Sequence, residues 1–259
     1  MKGIFMDIKV LELIDGAKRA EGLTVVIDVF RAFSLEAYLI SQGAERIYPI
    51  GEMEEAFEMK RSHPDWLLFG ERGGAMVEGC DFGNSPSSVA GMDLTGKTIS
   101  HSTSAGTQGI VNAVGADEII TGSLVNAAAV ANYIRSKNPE VVSLCAMGNS
   151  GVRRANEDIL CAEYIKSLVL RQTIAETLYE DDYLEVFHRT GNEEPSTLTI
   201  HALADELKAN GGEHFFDHER QHIYPKADFV MSTRCDVLDL VIRVTRDAEG
   251  RLVAEQINY

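Results

Sequence analysis

The sequence is poor in cysteine, in uninterrupted apolar stretches and in positive charge, and each shortage excludes a class of protein. Cys80, Cys145, Cys161 and Cys235 are the only cysteines in 259 residues, and no two form a CxxC pair. That excludes a disulfide framework or zinc knuckle and points to buried thiols in a reducing compartment. No segment approaches about 18 consecutive apolar residues, so no membrane span is expected. The opening MKGIFMDIKVLEL carries Asp7, Lys9 and Glu12 inside its apolar stretch and is not read as a signal peptide. The cytoplasm is therefore the expected location. Lysine and arginine total 24 against 40 acidic residues, a formal net charge of −16. A field of that sign repels nucleic acid and anionic membranes, so neither is expected as a partner. A small anionic ligand needs local arginines or a bound cation to enter.

Short β-like runs alternate with amphipathic stretches. LTVVID (23–28), ERIYPI (45–50), DWLLF (65–69), KTIS (97–100), DEIIT (117–121) and EVVSLCA (140–146) are the strand candidates, most of them followed by a helix-like segment. This pattern predicts an α/β fold, with a mostly parallel sheet and helices on both faces. The length suits one large domain or two small ones. Two α/β halves are expected, residues 1–122 and 123–259. RQTIAETLYEDDYLEVFHR and IHALADELKAN read as helices, and LDLVIRV and RLVAEQI, joined by DAEG, as a terminal β-hairpin. There is no long linker, low-complexity tract or fixed-period repeat.

In parallel sheets ligands gather beyond the carboxyl ends of the strands, and four polar clusters lie there. The first is VVIDVFRAFS, where Asp28 ends a strand and Arg31 follows one turn later. A carboxylate so placed suits a metal or a reacting group, though Asp28 or Ser34 equally suits a helix cap. An aspartyl-nucleophile phosphatase signature wants a second acid two residues on, where Phe30 stands. The second cluster is FGERGGAMVEGCDFGNSP. Arg72 offers a planar fork for anionic oxygens, and Gly73 and Gly74 let backbone N–H groups approach an anion. Asn84 and Ser85 add donors, with Ser85 as cap before Pro86. The bland alternative is a surface turn held by a Glu71–Arg72 pair.

The third cluster, SHSTSAGTQGI, sets Ser104, Gly106 and Thr107 at a helix start, where an anion can be held. It lacks the lysine of a P-loop, and the hydroxyls could serve only the helix's own free N–H groups. The fourth, CAMGNSGVRRANEDIL, carries Asn149, Arg153 and Arg154 before Glu157 and Asp158. Acids in a first helical turn also suit the dipole without any catalytic duty. His214, His218 and His222 are spaced four apart and would share a helix face, but HExxH is absent and a solvated face is the favoured reading.

Taken together, Asp28–Val29–Phe30–Arg31–Ala32, Gly70–Glu71–Arg72–Gly73–Gly74, Asp81–Phe82–Gly83–Asn84–Ser85–Pro86 and the Glu157–Asp158–Ile159–Leu160–Cys161–Ala162 segment resemble the 2-phosphosulfolactate phosphatase family. The resemblance implies a magnesium-dependent phosphomonoester hydrolase of a two-part α/β fold, acting on 2-phospho-3-sulfolactate in chemistry related to coenzyme M biosynthesis. A homodimer is carried as an expectation. On this reading Asp28, with Glu157 or Asp158, holds Mg²⁺, and Arg31 and Arg72 clamp phosphate or sulfonate. Glu71 orients Arg72 or transfers protons; Asn84, Ser85, Ser104, Gly106, Thr107 and Asn149 supply the remaining substrate contacts. Whether Asp28 is ligand or nucleophile stays open.

Two departures bear on substrate. The family's Thr-Asn-Gly-Thr is here Ser104–Ala105–Gly106–Thr107, and its Asp-Arg-Phe-Asp run is Asp236–Val237–Leu238–Asp239. Three alternatives therefore stand beside the leading reading. They are a relative acting on another phosphorylated small acid, an anion-binding relative without chemistry, and, ranked last, a nucleotide-binding enzyme.

Overall fold

The computed structural model describes residues 6–181, 183 and 199–259. The elements run β1 (Asp7–Glu12), α1 (Leu13–Ala17), β2 (Gly22–Ile27), α2 (Ala32–Ser41), β3 (Arg46–Pro49), α3 (Met53–Ser62), β4 (Leu67–Arg72) and β5 (Ala75–Met76). They continue with β6 (Thr98–Ser102), α4 (Gly106–Asn112), β7 (Ala116–Gly122), α5 (Ala127–Lys137), β8 (Val141–Ala146) and α6 (Asn156–Leu170). The last are α7 (Ile174–Glu180), α8 (Ile200–Glu206), α9 (Lys226–Ser232), β9 (Val241–Arg246) and β10 (Leu252–Ile257).

All ten strands join one sheet, in the order β1-β8-β2-β7-β9-β10-β3-β6-β4-β5. β1, β8, β2 and β7 are mutually parallel, as are β3, β6 and β4. Between these groups sits the β9–β10 hairpin, antiparallel to β7 on one side and to β3 on the other. The expected mostly parallel sheet and terminal hairpin are both present. The hairpin lies centrally because its strands are apolar on both faces: Val241, Ile242 and Val244 on β9 and the adjacent Val253 and Ala254 on β10 are all buried.

Three antiparallel steps reverse the direction of the second parallel group relative to the first. Yet six steps separate β2 from β4, and at about 20–25° of twist per step they accumulate about 120–150° of rotation. That offsets most of the reversal, so carboxyl ends from both groups can face one cavity. The 122/123 boundary falls after β7, and β8, from beyond it, is inserted between β1 and β2.

Strand alternation divides the core between the two faces. Val25, Ile27 and Leu144 join α5, α6, α7 and α8 on one side, while Val26 and Cys145 join α1, α2 and α4 on the other. A smaller cluster under α3 packs Tyr48 and Leu68 with Trp66.

Three sequence-based expectations need amendment. The polar-interrupted N-terminal stretch forms β1 and α1, neither of which is among the strand and helix candidates. The helix expected over 171–189 is present as α7, and the remainder of that stretch beyond Asp181, apart from Tyr183, lies outside the described residues. The histidine-bearing segment forms only short 3₁₀ turns, Glu213–Phe216 and His218–Arg220, so the three histidines share no helix face. Among the described residues, no helix is long and apolar enough to cross a membrane.

Candidate active site

A cavity of about 500 Å³ opens where the loops after β2, β4, β6 and β8 meet the segment 211–224. Asp28, Arg31, Glu71, Asn84, Ser104, Asn149 and Glu157 all line it, so the structure brings together seven of the residues singled out from sequence. A groove of similar size beside β1, lined by Arg135 and Lys166, holds none of them.

The acids differ in what they do. Asp28 is 5% exposed; its Oδ1 accepts the Ala32 N–H at 3.1 Å, and the Gly106 N–H supports it as well. The helix-capping reading and the site reading of Asp28 are thus both realised. Gly106 is required here, since a Cβ would stand 3.0 Å from Asp28 Oδ2 and 2.9 Å from the Ala32 Cβ. Asp158 is a latch: Oδ1 accepts from the Val29 N–H at 2.8 Å and Oδ2 from Gly148 at 2.7 Å, tying the ends of β2 and β8 together. It does not line the cavity. Glu157, one residue earlier in the first turn of α6, does, and its buried Oε2 has no partner among the described residues.

Burial pushes Asp28 well above the ordinary carboxylate range, and the neighbouring Asp158 and Glu71 push it further. Glu157 is pushed up to about 8, by burial first and then by Asp28 and Glu213. In a metal-free cavity both groups hold their protons to higher pH than exposed carboxyl groups do.

Glu71 and Arg72, adjacent on β4, point to opposite faces as strand geometry requires. Glu71 faces the cavity. Its Oε2 accepts the Gly74 N–H at 2.6 Å and its Oε1 the Ser104 N–H at 2.7 Å, bracing the Gly73–Gly74 turn against the loop after β6. The Gly74 amide expected to meet an anion is therefore occupied by the protein's own carboxylate. Arg72 turns away from the cavity and donates to the carbonyls of Glu71 and Gly51 and to Ser102 Oγ. The expected Glu71–Arg72 carboxylate pair is not formed, and Arg72 does not stand with Arg31 as a clamp.

Arg31 lines the cavity but is mostly engaged. Nη1 donates to Asp228 Oδ2 at 2.7 Å and to the Ile223 carbonyl at 2.8 Å, and Nη2 to the Gly74 carbonyl at 2.7 Å. These bonds use three of the five guanidinium N–H donors, leaving two for a ligand. Asp228, fully buried, also accepts from Ser85 Oγ at 2.8 Å and the Ser87 N–H at 2.9 Å. Ser85 thus secures the fold and lies off the cavity. The Tyr224 hydroxyl donates to the Gly73 carbonyl at 2.8 Å, so the 223–228 segment is stitched to the Gly73–Gly74 turn through Arg31 and Tyr224. Gly74 has φ +84°, and a Cβ there would lie 2.0 Å from the Tyr224 hydroxyl oxygen. Replacing Asp228 by alanine should strand a buried guanidinium and cost about 3–5 kcal/mol of stability. Denaturant unfolding checks this expectation.

Three further arginines line the cavity. Arg153 is exposed and has no ion-pair or side-chain hydrogen-bond partner among the described residues. Arg154 meets Glu12 at 3.1 Å and lies over Tyr183; Arg220 lies over Tyr224, 4.6 Å from its centroid. His214 is held neutral, pushed down to about 4 by burial and then by Arg31 and Arg220. Asn149 receives a hydrogen bond from Ser150 at 3.1 Å. Thr107 turns inward, its hydroxyl bonded to the Thr103 backbone and 3.4 Å from the Thr103 hydroxyl, as in the bland reading of that cluster.

Sequence reading missed Arg220 and Tyr224 as site residues and Asp228 as the partner of Arg31, and it read His214 as part of a solvated helix face, whereas His214 lines the cavity. The only local signal was the arginine–aromatic spacing of ERQHIYP. It also missed His101 and Glu36, which lie behind Asn84.

A hard cation of the Mg²⁺ type needs only one or two protein carboxylates, the remainder coming from water and substrate oxygens. Asp28 and Glu157, mutually repelling and with Glu157 Oε2 unpartnered, fit that requirement; Asp158, with both oxygens committed, does not. Among the described residues no group of three or more His, Cys, Asp or Glu side chains could hold a metal by itself.

The family model described as 2-phosphosulpholactate phosphatase matches residues 8–247. The chain is 43% identical over 168 residues to a protein of Carboxydothermus hydrogenoformans named "Probable 2-phosphosulfolactate phosphatase", covering 64% of this chain and 69% of the relative. A Bacillus subtilis protein of the same name is 29% identical over 230 residues, 88% of this chain and 89% of the relative. One from Thermotoga maritima is 35% identical over 170 residues, 65% and 72% of the two chains.

Proposed function

The chain belongs to the 2-phosphosulpholactate phosphatase family, and we propose that it removes phosphate from 2-phospho-3-sulfolactate, with Mg²⁺, to give sulfolactate and inorganic phosphate. As a member it is a phosphoric monoester hydrolase. The observation that carries the finer reading is the pairing, in one cavity, of the two strongly shifted carboxylates Asp28 and Glu157 with four arginines. In a chain of net charge −16, such a concentration of arginines marks where a polyanion enters.

Phosphate monoesters are slow to hydrolyse, and acceleration of about 10²¹-fold asks for more than about 20 kcal/mol of transition-state stabilisation. Arginines alone do not reach that. Asp28 and Glu157 are the residues that would hold Mg²⁺, which as a Lewis acid would stabilise charge on the phosphoryl oxygens. Both carboxyl groups would have to be ionised to hold it, so binding would release the protons they carry. Arg153 and Arg220, together with the two spare donors of Arg31, bind the anionic groups of the substrate. Glu71 keeps the two flanking loops at fixed separation, which preserves the orientation those donors need.

Ala105 lines the cavity at the position where the family motif has asparagine, so substrate choice is tested on a panel. Phosphate release is measured with Mg²⁺ and with EDTA on 2-phospho-3-sulfolactate, its carboxylate analogue and the unsulfonated phospholactate. The expected result is Mg²⁺-dependent release, fastest from the sulfonated compound. Equal or faster release from an analogue would reassign the substrate, and none from any would remove the catalytic reading.

A further inference from the structure

From Asn84 in the cavity wall a chain of polar side chains runs inward to two residues, His101 and Glu36, that the reading above leaves unused. Glu36 on α2 and His101 on β6 are both 0% exposed. His101 Nδ1 lies 2.8 Å from Glu36 Oε1, and His101 Nε2 lies 3.3 Å from Oδ1 of Asn84. Asn84 is the member that lines the cavity, and its amide nitrogen has no hydrogen-bond partner among the described residues. Phe69 and the imidazole meet nearly perpendicular, ring centroids 6.3 Å apart.

A carboxyl group and an imidazole in so apolar a setting are costly, and Glu36 Oε2 is buried with no hydrogen-bond partner among the described residues. An apolar pair of similar volume would pack there as stably or better. A purely structural duty therefore does not explain the choice of residues, whereas the far end of the chain does.

Counting hydrogens gives the chain a direction. As placed, Asn84 turns Oδ1 towards the ring, and an amide oxygen only accepts, so in this arrangement the hydrogen of the contact is on His101 Nε2. The Nδ1–Glu36 contact then holds one further proton between ring and carboxyl. While Nε2 holds that hydrogen, turning the Asn84 amide over would set N–H against N–H, so its two N–H donors are left for the cavity. Turned over, it would present a carbonyl oxygen to an anion. We infer that Glu36 and His101 are positioning residues that lock Asn84 as a hydrogen-bond donor to an anionic oxygen of the bound phosphorylated substrate. The inference rests on this cavity being the phosphatase site.

The experiment compares steady-state kinetics, competitive inhibition by inorganic phosphate, and thermal unfolding for Asn84→Leu, His101→Phe and their double variant. Glu36→Leu and Glu36→Gln are measured beside them. Asn84→Leu and His101→Phe should each raise KM and the phosphate inhibition constant about tenfold, or about 1.4 kcal/mol, with a much smaller change in kcat. The double variant should be no worse than Asn84→Leu alone, because both changes remove one shared contact. Glu36→Gln, whose amide still hydrogen-bonds the ring, should lose less than Glu36→Leu. Unchanged phosphate inhibition in folded His101→Phe, or losses that simply multiply in the double variant, would overturn the inference. If His101→Phe does not fold, Glu36→Gln against Glu36→Leu decides the same question, and equal phosphate inhibition in those two would overturn it. An Asp28→Asn variant that still turns over would instead remove the site reading itself, so the two failures are distinguishable.

Discussion

Replacing Asp28 by asparagine should lower turnover by at least about 10³-fold, equivalent to about 4 kcal/mol in the barrier, while leaving the protein folded. The side chain sits where the ends of β2, β4 and β6 meet, and its carboxylate is one of the two available to a divalent ion. Asparagine preserves the acceptor for the Ala32 N–H. It also removes an acid that Asp158 and Glu71 repel. Unfolding midpoints near those of the wild type, combined with lost phosphate release, are the expected outcome. Near-normal turnover would exclude Asp28 both as ligand and as nucleophile.

Glu157→Gln should remove most of the protein's response to Mg²⁺ and flatten a pH dependence of its stability. The folded-state value of Glu157, about 8, lies above its ordinary 4.5. For an acid raised in this way the contribution to stability is complete below about pH 4.5 and is lost as pH rises through about 8. The metal-free wild type should accordingly weaken over that window, by an amount of the order of a few kcal/mol. Added Mg²⁺ should restore stability more at pH 8 than at pH 6, since protons compete with the cation for the carboxylate. In Glu157→Gln the slope and the response to Mg²⁺ should both shrink. Thermal unfolding across pH, with Mg²⁺ and with EDTA, measures all three.

The alternation of apolar runs with amphipathic stretches made the α/β architecture legible, and strand ends made Asp28, Glu71, Ser104 and Asn149 legible as cavity residues. Phase on β4 was not legible. Leu67, Leu68 and Phe69 are apolar on both faces of that strand, so nothing local told which of Glu71 and Arg72 points inward. Nor could the sequence distinguish Asp158 from its neighbour Glu157. One commits both oxygens to backbone amides at two other strands' ends, and the other leaves an oxygen bare. Long-range partners were hidden for a simpler reason. Arg31 meets Asp228 across 197 residues, and the segment carrying Arg220 and Tyr224 shows no strong periodicity of its own. Glu36 drew no attention in the sequence, and its burial and its contact with His101, 65 residues away, are what place it in the core.

Titration of the metal-free protein with Mg²⁺ by calorimetry, in the presence of inorganic phosphate, tests most directly whether Asp28 and Glu157 form a shared cation site. The expected result is a single Mg²⁺ bound per wild-type chain with proton release at pH 7, and binding weakened at least about tenfold in both Asp28→Asn and Glu157→Gln. Undiminished binding in the two variants would place the cation elsewhere and contradict the assignment.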